Sequence, residues 1–593
     1  MLRFPWSSAA VTAAAAALSA CGGGGGGGAD GTANPAGTPA PGEVGAPTPA
    51  PAPPPSGSNG GSTAPVPAPN PAPTPSTSPA VPVTYPLPND AQAARFLAQA
   101  GFAATPADIA TLKAIGYSGW LDLQFLAPRT ESRWDRMVRV GLGGESYKYN
   151  AWNGLDGTTW CKLIGSPDQL RQRMVLALSD LFIVSTLGIN SAWRTMTIVA
   201  YADLLEDHAF GTFRQLLEAV ALSPAMGQYL SMRGSRKEDA KTGRQPDENF
   251  AREVMQLFTI GLVQLQPDGT PVMSGGRPVE TYDLTQITEL ARVFTGWDVD
   301  SSNPSGADPG YLRRPMVHLA SRFSTGAKSV LGTSIPASAD GPTAMRLALD
   351  TLCNHPNVGP FIGRQLIQRL VCSHPSPAYV QRVAAVFNDN GQGQRGDLKA
   401  VLRAILLDID ARQPSGTAAA GKLREPVQRF VQMARTTGMV SAGDIWAVGD
   451  TSNPDTRLGQ CPFRGPSVFG FFRPGYVPPN SALAANAITA PEFQLCNETT
   501  VAGYLNFMHS LLTNGIGDLK ADFTPDLALV GDSRAMVARQ ALLLAGDGIS
   551  EATQARIAAA LNTINVSTDA GQLNRVKASW MLLLSSPEYQ IQK

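Results

Sequence analysis

The sequence predicts a mainly α-helical protein: one large multi-helix domain with a minor β-hairpin or extended element, preceded by a disordered Gly/Pro/Ala stalk. Three observations carry this. Apolar residues recur at helical spacing between cap-and-stop signals from about residue 85 onward. Alternating, β-branched stretches are few and short. The residues before about 83 hold almost no charge and no large side chains, so they cannot bury enough apolar surface to offset the entropy of ordering.

The chain opens with one early charge, Arg3, an Ala-rich apolar run, and "LSAC" at Leu18–Cys21. This order marks residues 1–20 as a secretory signal, too short for a membrane span. The tetrapeptide resembles the lipobox of bacterial lipoproteins, in which cleavage before the cysteine leaves Cys21 to carry the lipid. The alternative is an ordinary cleaved signal beside a chance cysteine. Lipidation implies export and a membrane partner through Cys21, with anchorage in the cell envelope. Gly22 is unlike the Asp typical of inner-membrane retention, which points to the outer membrane. Residues 21–83 then form a linker, Gly-rich at first and Pro-rich later. Its span is roughly 45 Å for a flexible chain.

Residues 84–593 form the helical domain. "TPADIATLKAIG" has Thr105 as N-cap, Pro106 at the first position, Asp108 in the first turn and Gly116 as a stop. The same grammar recurs in "SPDQLRQRMVLALSDLF" from Ser166, in "FGTFRQLLEAVALSP", "TYDLTQITELARVFTGW" and "DLKAVLRAILLD", and near the end in "GISEATQARIAAALNTI". "VQLQPDGTPVM" reads as a hairpin around Asp268–Gly269, and "RPMVHLASRF" and "KSVLGTSI" as short extended pieces.

The whole sequence has 47 basic and 47 acidic residues and no basic run, which argues against a nucleic-acid partner. Export permits disulfides. Cys353 and Cys372 sit at a turn and at the far end of the helix that follows, about 20 Å apart and out of reach. Cys461 and Cys496 flank an irregular segment and are the candidate pair. No Cys/His spacing supports a metal site, and no cofactor is indicated.

The most informative stretch is "DENFAREVMQLFTIGL", Asp247–Leu262. At about 100° per residue, Glu248, Asn249, Arg252, Glu253, Gln256 and Thr259 share one face. "ITELARVFTGW" repeats the pattern, with Ile287, Leu290, Ala291 and Phe294 inward and Glu289, Arg292 and Thr295 to another side. Two readings stay open. In one, these are surface or interhelical ion pairs. In the other, the two helices line a polar groove formed by Asp247, Asn249, Arg252, Glu289, Arg292, Trp297, Lys328, Arg473 and Tyr476. Glu248, Glu253 and His318 are then the catalytic candidates. "GPSVFG" (Gly465–Gly470) is read as a tight turn, and Asp397 as a helix cap.

Six separated motifs resemble the bacterial domain-of-unknown-function 1800 family (DUF1800) in its order. They are "ARFLAQAGFAATPADIATLKAIGYSGWLD", "LSPAMGQYL", "DENFAREVMQLFTIGL", "ITELARVFTGW", "REPVQRFVQMARTTG" and "GPSVFGFFRPGYVPPN". In the resemblance, the family's Asn-Glu-Asn falls on Asp247, Glu248 and Asn249, its Thr-Gly-Trp on Thr295, Gly296 and Trp297, and its His-Asp on His318 and Leu319. The missing Asp weakens an acid–base role for His318. The resemblance implies a secreted protein with no established activity. It also implies a partner among exported sulfatase- or phosphatase-like proteins encoded nearby. The expected function is an envelope binding or assembly role through the Glu/Arg groove. The alternative is an envelope hydrolase with Glu248 or Glu253 as general acid/base and Arg252 and Arg292 as anion stabilisers.

Overall fold

The computed structural model describes residues 85–593 except 150–151, 301, 303–307, 415 and 417–419. The signal, Cys21 and the linker lie outside the described residues.

Sixteen described helices have eight or more residues. The first eleven are α1 (Asp90–Ala100), α2 (Pro106–Leu126), α3 (Gln169–Ser179), α4 (Arg194–His208), α5 (Phe213–Leu222), α6 (Asn249–Gln256), α7 (Leu284–Val293), α8 (Gly341–Asn354), α9 (Val358–Leu370), α10 (Pro377–Asn388) and α11 (Leu398–Leu406). The last five are α12 (Pro426–Thr436), α13 (Glu498–Asn514), α14 (Ser533–Ala545), α15 (Glu551–Leu561) and α16 (Asp569–Ser585). The caps follow the sequence signals. Thr105 accepts from the Asp108 amide in a full capping box, and Asp397 accepts from the amides of Lys399 and Ala400. Gly116, at φ +71°, kinks α2 instead of ending it.

The sheets are all two-stranded and antiparallel. β1 (Met273–Ser274) pairs with β2 (Arg277–Pro278), and β3 (Trp297–Asp298) pairs with β4 (Val317–His318). β5 (Lys328–Val330) pairs with β6 (Thr333–Ile335), as "KSVLGTSI" suggested. β7 (Lys422–Leu423) pairs with β10 (Ile591–Gln592), and β8 (Val440–Ser441) with β9 (Leu519–Lys520). The turn at Asp268–Gly269 closes on the bridge Leu265–Pro271 without regular strands.

Two apolar cores fill the domain, one built mainly by α1–α11 and the other mainly by α12–α16. Between them lies a buried polar knot. Lys422 Nζ donates to the carbonyls of Gln368 (3.1 Å) and Arg369 (3.0 Å), and pairs with Glu425 (3.3 Å) and Glu492 (3.4 Å). Glu425 also accepts from Gln428 and Gln460, both at 2.7 Å. Buried charge is tolerable there because each group has partners.

Two expectations need correction. No disulfide joins Cys461 to Cys496, and none of the five described cysteines is in one. Cys461 is buried with its Sγ 3.9 Å from Asp156, whereas Cys496 is exposed. The expected Asp247–Leu262 helix is only α6. Its ladder stops at Gln256, and the following turn buries Thr259, whose hydroxyl donates to the Val254 carbonyl (2.5 Å).

Candidate ligand-binding cavity

The predicted site residues fall in four places. At the start of α6, Asp247 accepts from the Asn249 amide (2.9 Å). Glu248 pairs with Arg252 at 3.3 Å, both about two-fifths exposed, and accepts from Thr288 of α7 at 2.9 Å. Beneath them Phe250 meets Phe294 edge-on at 4.9 Å. Glu253 turns inward. It is 9% exposed, its Oε2 has no hydrogen-bond partner, and burial raises its carboxyl above the ordinary range against the pull of Arg252.

The second place is a strap under α7. Arg292 pairs with Glu289 (3.0 Å) and donates to Ser324 Oγ (3.1 Å) and to the carbonyls of Thr325 (2.8 Å) and Ala327 (3.1 Å). Glu289 in turn accepts from the Ser329 amide (3.1 Å). Lys328 is 3% exposed, donates to the Gly326 carbonyl (3.0 Å) and lies 4.5 Å over the Phe323 ring. Burial, then Arg292, lowers its ammonium pKa. The ion pairs of α6 and α7 thus form within each helix.

The third place is the β3–β4 pair. His318 stands opposite Trp297 and packs edge-on against Trp297 and Phe323, both at 5.1 Å. A Cβ at Gly341 would come within 1.9 Å of His318 Nε2, so the imidazole lies against the N-terminus of α8. Burial lowers its pKa, outweighing Asp340, and the positive end of a helix likewise disfavours imidazolium.

The fourth place holds Arg473 and Tyr476, on the wall of a cavity of about 690 Å³. Glu248, Arg292, His318 and the other residues of the first three places are not on that wall. The cavity lies between the end of α6, one face of α9, the chain after α3 and the 465–477 loop. From α9 come Phe361, Arg364, Gln365, Gln368 and Arg369. Their spacing puts all five on one helical face. Asn357 sets the opposite wall. It accepts from the Leu265 amide (2.9 Å) and donates to the Ile260 and Val263 carbonyls (both 2.8 Å). Gly261, at φ +71°, lets that wall lie on Phe361, whose ring a Cβ would approach to 2.9 Å.

The wall is mostly apolar, with Leu181, Leu257, Phe361 and Phe469 among its members, and its charges are uneven. Three arginines face one carboxylate, Asp180. Arg369 reaches Asp180 at 3.5 Å and stacks 4.3 Å over Phe472, and Arg473 lies 4.9 Å over Phe469. Burial pushes the Asp180 carboxyl up to about 6, with Arg369 pulling the other way. Ser467 is exposed at a turn, its Oγ accepting from the Phe469 amide (3.1 Å), so "GPSVFG" is a turn.

Sequence reasoning missed Asp180, Arg364, Gln365 and Arg369. The signal was present in "FIGRQLIQR", where two Arg and two Gln share a face with Phe361. Among the described residues no group of three or more His, Cys, Asp or Glu side chains is arranged to hold a metal ion. Nor is any described helix long and apolar enough to cross a membrane.

Fold and cavity define a mainly α protein with a sizeable, arginine-bearing apolar cavity. The model of the family described as "Protein of unknown function (DUF1800)" matches residues 95–591, and the chain belongs to that family. No curated protein and no solved structure matches it.

Proposed function

We propose that this protein is a binding component of the cell envelope, exported and lipid-anchored through Cys21, that takes a ligand with an apolar body into the α6–α9 cavity. One observation supports this above the others: about 690 Å³ of apolar-walled space, a size that suits a small molecule. The 465–477 loop and the end of α6, both within motifs shared in the resemblance, supply much of its wall. This moves the binding role from the Glu/Arg face to the far end of α6.

The test is binding of the neutral fluorophore N-phenyl-1-naphthylamine to the full chain. The double variant Leu262→Trp/Val468→Trp narrows the cavity from two sides; Leu262 is exposed, whereas Val468 packs against the first core, so thermal melting of the variant is compared with wild type. A loss of at least about tenfold in affinity, equivalent to about 1.4 kcal/mol, is expected. Unchanged affinity removes the proposal. For the anchor, palmitate labelling and membrane association are lost in Cys21→Ala; equal labelling removes it.

A second reading, an envelope hydrolase, rests on Glu253 alone, because its buried, unpartnered Oε2 and raised pKa suit a general acid. Turnover of p-nitrophenyl phosphate, sulfate or acetate that disappears in Glu253→Gln supports it. Turnover unchanged by that substitution excludes Glu253.

A further inference from the structure

We infer that the ligand of the α6–α9 cavity is an amphiphile whose apolar body ends in an oxyanion, received by the Arg364 guanidinium and the Gln365 amide. This rests on the cavity reading and adds the chemistry of the head group.

Arg364 and Gln365 are consecutive on α9 and both line the cavity. Among the described residues Arg364 has no carboxylate within ion-pair reach, unlike its helix neighbour Arg369, which has Asp180. Arg364 is half-buried, and burial alone pulls its pKa down, with no acid countering it. A desolvated cation without a counter-ion is costly, and a ligand anion relieves that cost.

Gln365 supplies the second observation. It is 8% exposed, and its Nε2 is buried with no hydrogen-bond partner. Buried donors of this kind are nearly always satisfied in native proteins, so one in a side chain that lines a cavity marks a place for an acceptor. The guanidinium offers donors only and carries the positive charge, which matches a carboxylate or phosphate and repels a cation; the Gln365 N–H₂ beside it adds a neutral donor. Arg473, more exposed on the loop, adds positive charge that draws an anion inward. Around the donors the wall is apolar, so the rest of the ligand is apolar too.

The experiment uses the full chain with N-phenyl-1-naphthylamine bound. Laurate, monododecyl phosphate and dodecanol are the competitors, each below its micelle-forming concentration. Laurate or dodecyl phosphate displaces the probe at concentrations at least about tenfold below dodecanol, and whichever acts at the lower concentration identifies the head as carboxylate or phosphate. Arg364→Gln removes the advantage of the anions over dodecanol, each competitor being compared with dodecanol on the same variant. Gln365→Leu reduces that advantage without lowering the melting temperature, because it deletes a donor that lacks a partner. Equal displacement by dodecanol and both anions, with the probe still bound, overturns the anion inference and leaves the cavity reading standing. Failure of the wild-type chain to bind the probe overturns both.

Discussion

Gln368 of α9 donates its side-chain amide to the carbonyl of Pro474 at 3.1 Å, and so seats the 465–477 loop against the helix. The same nitrogen donates to the Ser373 carbonyl at 2.9 Å, and the side chain is 3% exposed. Gln368 therefore links the knot between the two cores, through its backbone carbonyl, to the wall of the cavity, through its side-chain amide.

Gln368→Leu leaves two carbonyls without this donor. The expected cost is about 1–3 kcal/mol in urea unfolding, together with weaker N-phenyl-1-naphthylamine binding as the loop loosens. Full stability with full probe affinity would show that the loop is held by other contacts.

Arg292 and Glu248 were expected in one groove, and they separate cleanly by consequence. Arg292→Ala removes three hydrogen bonds to the 324–327 strap and the pair with Glu289, and costs about 1–3 kcal/mol, with faster proteolysis in that strap. Arg292→Lys does not restore it, because one ammonium cannot span the guanidinium's several directions. Glu248→Gln costs less than about 1 kcal/mol, since the Arg252 pair is partly exposed and an amide oxygen still accepts from Thr288. Thermal melting of the three variants distinguishes these outcomes.

Glu253 makes stability depend on pH. Its folded pKa is raised by burial, so the native state holds the proton more tightly than the unfolded chain. That contribution is fully present below the ordinary glutamate value of about 4.3 and is lost as pH rises through the higher folded value. Relative to Glu253→Gln, the wild type loses stability from about pH 4.3 upward. Parallel unfolding profiles for the two proteins would contradict this.

Asp180 has the same sign and sits in the cavity wall. Arg369, Arg173 and Lys422 face it with positive charge and Glu425 with negative, yet burial dominates and holds its pKa up at about 6. Below that value the carboxyl is neutral and the surplus of positive charge in the cavity is larger. Laurate therefore displaces the neutral probe less effectively as pH rises through about 6, and Asp180→Asn flattens that dependence. An identical pH profile in both proteins would remove Asp180 from ligand recognition.

What the sequence determined by itself is local. Thr105 and Asp397 cap helices because an oxygen-bearing side chain meets free amides within three residues, and Ile287, Leu290, Ala291 and Phe294 turn inward because their spacing matches the helical repeat. What only the tertiary structure decided is the identity of each charge's partner. Arg252 and Arg292 read alike along the chain, but one faces partly outward beside Glu248 and the other ties down a distant strap. Glu253 shares a helical face with Glu248 but is buried, on the side where the distant Tyr229 and Tyr282 lie near it. The cavity joins residues near 180, 256, 365 and 473, and their meeting depends on long-range packing and on contacts such as Gln368 to Pro474. Periodicity is a property of neighbours in sequence. A cavity is a property of neighbours in space.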